Sequence, residues 1–299
     1  MPNLALKLRV NIMTQAKIIK HWDSLSEALN TAYGPAGPLW GDAKRQSIFG
    51  DKEFTGTESI EQAVSLARHG WPDGLKNMAR NVAALAAAPS LARGPAFSFD
   101  VGGAYPMAAL AAAGDPACMV NLAPTNERAR PIIRLGVAAS FSWRYETKEV
   151  ENYGAGLVGI IDALEAADFR VEVNLAFSFQ ADNEKALFTI KVKDSGDAID
   201  LDRLAFCLCH ASMLRRICFG LMESCLNSKR WAVAYGTPRT LAQDEMPDLL
   251  PLAGVMTFKA GARELKSPKA AFEAMMPIIS TQLTDRWADF PPLAYERAA

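Results

Sequence analysis

The stretch "RPIIRLGVAASFSWRYE", Arg130 to Glu146, opens as a strand whose apolar residues run on almost without alternation. A strand patterned in this way is covered on both faces, as in a largely parallel sheet. It then spells Ala138-x-Ser140-x-Ser142 as the chain turns towards a helix. A parallel neighbour requires a crossover, and "NYGAGLVGIIDALEAAD" supplies one, with Leu157, Ile160, Ile161 and Leu164 on a single helical stripe. "FRVEVNLAFSF" alternates Val171, Val173, Leu175 and Phe177 as a second strand. "ALFTIKVK", after the polar turn "QADNEK", is a third, made antiparallel by its short connection.

Downstream, the pattern predicts one long helix from about Asp200 to Leu226, with Asp197 or Asp200 near its positive end. "RWAVAYG" and "AGVMTFKA" read as short strands. A closing helix, "SPKAAFEAMMPIISTQLTDRW", takes Ser267 as cap, Pro268 at its first position and a kink at Pro277. The order β-α-β-β-α-β-β-α predicts an α/β fold: a mixed, mostly parallel sheet with helices on both faces, occupying residues 130–299.

Residues 1–129 read as an irregular and helical amino-terminal segment. The first 56 or so look irregular, because "AYGPAGPLWGD" is dense in glycine and proline. A helix then starts near Thr57 or Ser59, with Ile60, Ala63, Val64 and Ala67 on one face and Ser59 with Gln62 as a capping box. Gly70 and Pro72 end it, and "DGLKNMARNVAALAAA" completes a helical hairpin. "PAFSFDVGGAYPMAALAAAGDPACM" is a connector with a turn at Gly102-Gly103 and a short helix from Ala108 to Ala113.

Half of the 299 residues are hydrophobic and 22% charged, enough to bury a large core and too apolar for a disordered chain. A net charge of −1 supplies no overall field towards nucleic acid or an anionic membrane. No segment reaches the roughly 18 apolar residues needed to cross a bilayer. The first twenty residues lack the apolar core of a signal peptide, so a cytoplasmic location is expected. Five cysteines, four of them between Cys207 and Cys225, fit reduced thiols.

The strand order, with its antiparallel edge hairpin after the first crossover helix, resembles the von Willebrand factor A domain over residues 130–285. In that family the first strand ends in Asp-x-Ser-x-Ser, whose carboxylate and hydroxyls help to hold a divalent cation. Ser140 and Ser142 match the hydroxyl positions, whereas Ala138 stands where the aspartate should be. Hard cations need charged oxygen ligands, so no metal or other cofactor is expected. Thr237 in "YGTPR" is one candidate for a further ligand position. "FTGTESIEQAVSLARHGWPDG" and "GDPACM" are similar in wording to proteins of tailed bacteriophages and prophages.

Other chemistry-bearing residues have plainer explanations. Cys207, Cys218 and Cys225 fall on one helical stripe and behave as small hydrophobes. Cys207-x-Cys209-His210 lacks the paired spacing of a zinc site, and His69, before Gly70, suits a helix end. Cys209 and His210 are adjacent, which points them about 100° apart on a helix. No phosphate loop or nucleophile elbow is present.

The expectation is therefore a non-enzymatic interaction protein that binds another protein through the loop face, with Ser140, Ser142, Trp143, Arg144, Thr237 and Arg239 as the contact residues. The alternative is single-stranded nucleic-acid binding through Arg128, Arg130, Arg134, Arg215, Arg216, Lys229 and Arg230, beside Trp143 and Tyr145, in phage replication or transcription.

Overall fold

The computed structural model describes residues 16–34, 45–85, 97–102, 105–122, 131–142, 144–167, 169–181, 184–226, 249–252 and 258–286. Its strands are β1 (Ala16–Trp22), β2 (Phe97–Asp100), β3 (Tyr105–Pro106), β4 (Met119–Leu122), β5 (Ile132–Ala138), β6 (Arg170–Ala181), β7 (Glu184–Lys193) and β8 (Leu250–Leu252). Its helices are α1 (Leu25–Tyr33), α2 (Gln46–Phe49), α3 (Lys52–Thr55), α4 (Ile60–His69), α5 (Pro72–Leu85), α6 (Ala108–Ala112), α7 (Thr147–Ala166), α8 (Leu201–Cys209), α9 (Phe219–Cys225) and α10 (Pro268–Arg286). A π-helical turn, Met213–Cys218, leads into α9.

The main sheet has five strands in the order β1-β7-β6-β5-β8. β5 is parallel to β6 and to β8, β1 is parallel to β7, and only the β6–β7 pair is antiparallel. The α/β class, with a mixed and mostly parallel sheet and helices packed on it, is as the sequence pattern predicts. β2, β4 and β3 form a separate antiparallel sheet in that order.

Alternation along the strands decides what each face meets. Val171, Val173, Leu175, Phe177, Phe179 and Ala181 of β6, with Ile133, Leu135 and Val137 of β5, enter one core with the helices. The opposite alternation carries a much smaller cluster of Ala138, Ala176 and Leu187. Trp22, Phe177, Phe179 and Phe188 interlock edge to face, with ring centroids 5.4 to 5.9 Å apart.

Helix α7 is the centre of the helical layer, and Leu157, Ile160, Ile161 and Leu164 are fully buried on it. Each such side chain contributes about 1.5–3 kcal/mol relative to exposure. Its surroundings are close enough that glycine is required. A Cβ on Gly156 would lie 2.9 Å from the backbone nitrogen of Phe272 in α10.

Several expectations are corrected. Residues 16–33 are not irregular. Lys17, Lys20 and His21 disguise a strand whose backbone partners come from β7, and Ser24 caps α1 by accepting from Glu27 N at 3.1 Å. β7 is consequently not an edge strand. Residues on both sides of position 130 meet in one core, where Trp22, Leu29, Ala63, Ala67 and Met78 pack with β6 and α7.

The long helix from Asp200 to Leu226 is two helices bent by 69°, because the His210 backbone is extended (φ −86°, ψ 129°). "RWAVAYG" and most of "AGVMTFKA" lie outside the described residues, and the described β8 is "LPL" instead. Only half of the expected capping box forms at α4: Ser59 accepts from Gln62 N at 3.2 Å, while the Gln62 amide oxygen accepts from Glu58 N.

Candidate functional site

The chain leaves the sheet just beyond β5. Ala139 N still donates to Ala176 O at 2.9 Å, and the next residues depart from the ladder. Ser140 is buried, and Ser142 Oγ accepts from Arg144 N at 3.3 Å in a tight turn. Glu146 then caps α7. Its carboxylate accepts from Glu149 N, and Glu149 Oε2 accepts from Glu146 N at 2.9 Å, a capping box built from two glutamates. Negative charge at this end suits the dipole of a helix this long. Tyr145 is tied down through its hydroxyl, which donates to Phe258 O at 2.7 Å.

The break at His210 builds a second wall. Neither glycine nor proline causes it. The helix restarts only after Ser212 N donates to His210 Nδ1 at 3.1 Å, which leaves the ring proton on Nε2. The imidazole stacks on Phe206 and meets Trp71 edge-on, with centroids 5.2 and 4.7 Å away. Burial pulls its pKa down to about 4, so it is neutral at pH 7. On the π turn that follows, Arg215 and Arg216 go separate ways, and such turns often re-aim side chains at functional sites.

Arg216 points inward, fully buried, and fastens a third wall. It donates to Thr57 Oγ1 and to the carbonyls of Ser47, Ile48, Gly50 and Thr57 at 2.7 to 3.1 Å. Beside it the buried Glu223 carboxylate accepts from Arg45 Nε at 3.1 Å, from Ser47 N at 3.1 Å and from the Ser47 hydroxyl. Residues 45–57 thereby become a strap clamped across α9 by buried charge. Gly56 (φ 82°) turns at its end, close to the His210 ring.

These three walls enclose a cavity of about 630 Å³ next to the carboxyl end of β5. The strap contributes Asp51, Glu53 and Phe54, the β5–α7 connection Phe141, Tyr145, Glu146 and Thr147, and the helix break Cys209, His210 and Arg215; Trp71 closes it. Arg215 donates to Phe54 O at 2.5 Å, and its guanidinium lies over the rings of Phe54 and Phe141 at 4.4 and 5.4 Å. Cys209 is buried there and burial pushes its thiol pKa up, away from thiolate chemistry. Among the described residues no three His, Cys, Asp or Glu side chains converge as a metal site. No single described helix is long and apolar enough to cross a membrane.

The expected partner-binding residues are only partly brought here. Ser142 and the exposed Arg144 sit on the connection that forms the first wall, and Ser140 is buried beneath it. Trp143, Thr237 and Arg239 lie outside the described residues, as do Arg128, Arg130, Lys229 and Arg230 of the nucleic-acid alternative. The rest of that basic set does not form one surface. Arg216 is corrected to a buried structural residue, and Arg215 to a half-buried cavity residue. Arg134 is exposed on β5 and pairs with Glu172 at 3.8 Å.

The cavity residues from Asp51 to Trp71 carry no motif, because long-range packing brings them together. The detectable signals are Asp51 capping α3 by accepting from Phe54 N at 2.7 Å, and Trp71 preceding a helix that starts at Pro72. No curated protein and no solved structure shows a significant match to the chain. A family model described as a domain of unknown function, DUF7192, matches residues 9–257, a span that takes in β1, the strap, the helix break and β8. The chain belongs to the DUF7192 family.

Proposed function

We propose that this chain is a non-enzymatic interaction protein of von Willebrand A-like build, which captures a segment of another protein at the carboxyl end of β5. The observation that carries this reading is the cavity of about 630 Å³, walled by aromatic rings and fixed charges where an α/β sheet presents its loops. The von Willebrand A-like build draws support from the order β7-β6-β5-β8, with β7 alone antiparallel to its β6 neighbour. Ala138 at the end of β5 keeps the scaffold of that family without its charged ligand, so the partner is held by side chains and not through a cation.

A photo-reactive benzoylphenylalanine at position 147, in place of the exposed Thr147 on the cavity rim, should cross-link a discrete partner in the native host. The same group at the exposed Lys269 on α10 should not. Equal adducts from both positions, or none from 147, would refute the reading.

A further inference from the structure

We infer that Arg215 is an anion anchor and that the partner segment seats one carboxylate side chain on it; this rests on the cavity being the partner site. Arg215 differs from the other arginines that hold the strap. Arg45 has the Glu223 carboxylate, and the Arg216 donors are taken up by four carbonyls and a hydroxyl. Arg215 makes one hydrogen bond, to Phe54 O, and stacks on two phenyl rings. A guanidinium has five N–H donors. Among the described residues no carboxylate lies within ion-pair distance of this one, although three line the same cavity.

Two of those three carboxylates are already engaged, Asp51 with Phe54 N and Glu146 with Glu149 N. Phe54 and Phe141 hold the guanidinium at 4.4 and 5.4 Å from their ring centres, and its remaining N–H donors suit the two oxygens of a carboxylate in a forked pair. Charge sets the kind of anion. A dianionic phosphate would enter past Asp51, Glu53 and Glu146 and be repelled twice as strongly as a monoanion. The same rim favours a segment that is otherwise neutral or basic. Burial without a counter-charge lowers the Arg215 pKa, in keeping with a cation that lacks its partner.

The test uses the full chain and three blocked tripeptides, acetyl-Ala-Glu-Ala-amide and its glutamine and phosphoserine counterparts, followed by the Nε–H resonance of Arg215 and the indole resonance of Trp71. The glutamate peptide should shift both saturably, and the glutamine peptide should not. Arg215→Gln should weaken glutamate binding by roughly 30-fold or more, the effect of removing one partner of a desolvated charge pair, and Arg215→Lys should do so less. Circular dichroism checks that both variants fold, and Arg215→Lys carries the comparison if the glutamine variant does not.

Equal binding of the glutamine peptide, tighter binding of the phosphoserine peptide, or full binding by Arg215→Gln would each overturn the inference. Cross-linking from position 147 without any carboxylate preference would reject the anchor and leave the partner reading standing. A carboxylate on Arg215 with no adduct from position 147 would reject the partner.

Discussion

Replacing Arg216 with methionine isolates what the buried clamp contributes. Methionine keeps most of the stem volume, so the loss is chiefly of hydrogen bonds rather than of packing. Five acceptors lose their donor, yet they are not equivalent. Thr57 Oγ1 stays 3.0 Å from the Ser212 hydroxyl, to which it can donate its own proton, and Thr57 O stays 3.0 Å from the Thr55 hydroxyl, whose single proton also faces Asp51 O at 2.6 Å. Ile48 and Gly50 are half-exposed, so water can reach their carbonyls. Ser47 is fully buried, and its carbonyl carries the full penalty.

One orphaned buried acceptor costs about 1–3 kcal/mol, and each bond exchanged for water about 0.5–1.5 kcal/mol. The expected total is about 2–6 kcal/mol, most of it borne by the strap. Urea unfolding of Arg216→Met measures the global share. Amide hydrogen exchange locates the rest: protection over residues 47–57 should fall on the order of 100-fold or more before α7 or β6 exchange. Because Asp51, Glu53 and Phe54 ride on the strap, cavity ligands should weaken in parallel. A variant that loses less than about 1 kcal/mol, with strap protection intact, would refute the clamp.

Three further outcomes are expected. The His210 pKa is lower in the folded chain, about 4, than in the unfolded one. Its contribution to stability is therefore complete above about pH 6.5 and is lost as pH falls towards 4; wild type should lose about 2–3 kcal/mol more than His210→Asn between pH 7 and 4.5 in urea titrations. Gly156→Ala should cost about 1–3 kcal/mol, since the new methyl meets the Phe272 backbone rather than a movable side chain, and a melting temperature equal to wild type would contradict that packing. Burial pushes the Cys207 thiol up to about 12 and raises Cys218 and Cys209 as well. A thiol reagent should therefore label the half-exposed Cys118 in the native protein and reach those three only on unfolding.

The elements that could be read in the sequence are those whose pattern is local. Leu157, Ile160, Ile161 and Leu164 announce α7 by their spacing, and Val171 to Phe177 announce β6 by alternation. β1 escaped because the exposed Lys20 and His21 sit on a strand that, among the described residues, forms the edge of the sheet, where polar side chains face water. The break at His210 was invisible for a different reason. Nothing in "CLCHASM" breaks a helix, and the bend depends on contacts with Trp71 and Phe206 and on a backbone donor captured by the imidazole. "VAASFS" marks the end of β5 and the connection after it, while Arg215 and Arg216 looked like one basic pair and have opposite fates. Alternate directions on a π turn cannot be inferred from adjacency alone.

The pairing of β1 with β7 also sets an order of events during synthesis. Among the described residues, the first strand of the main sheet has its only sheet partner in a strand that begins about 160 residues later. At typical translation rates of about 5–20 residues per second, β1 waits roughly 10–30 s for that partner to be made. For that interval Ile18, Ile19 and Trp22 have no sheet to join. Closure of this edge of the sheet is then a late long-range step, followed by the pairing of β8 with β5, and it is the one that takes the outer side of β7 away from other nascent chains.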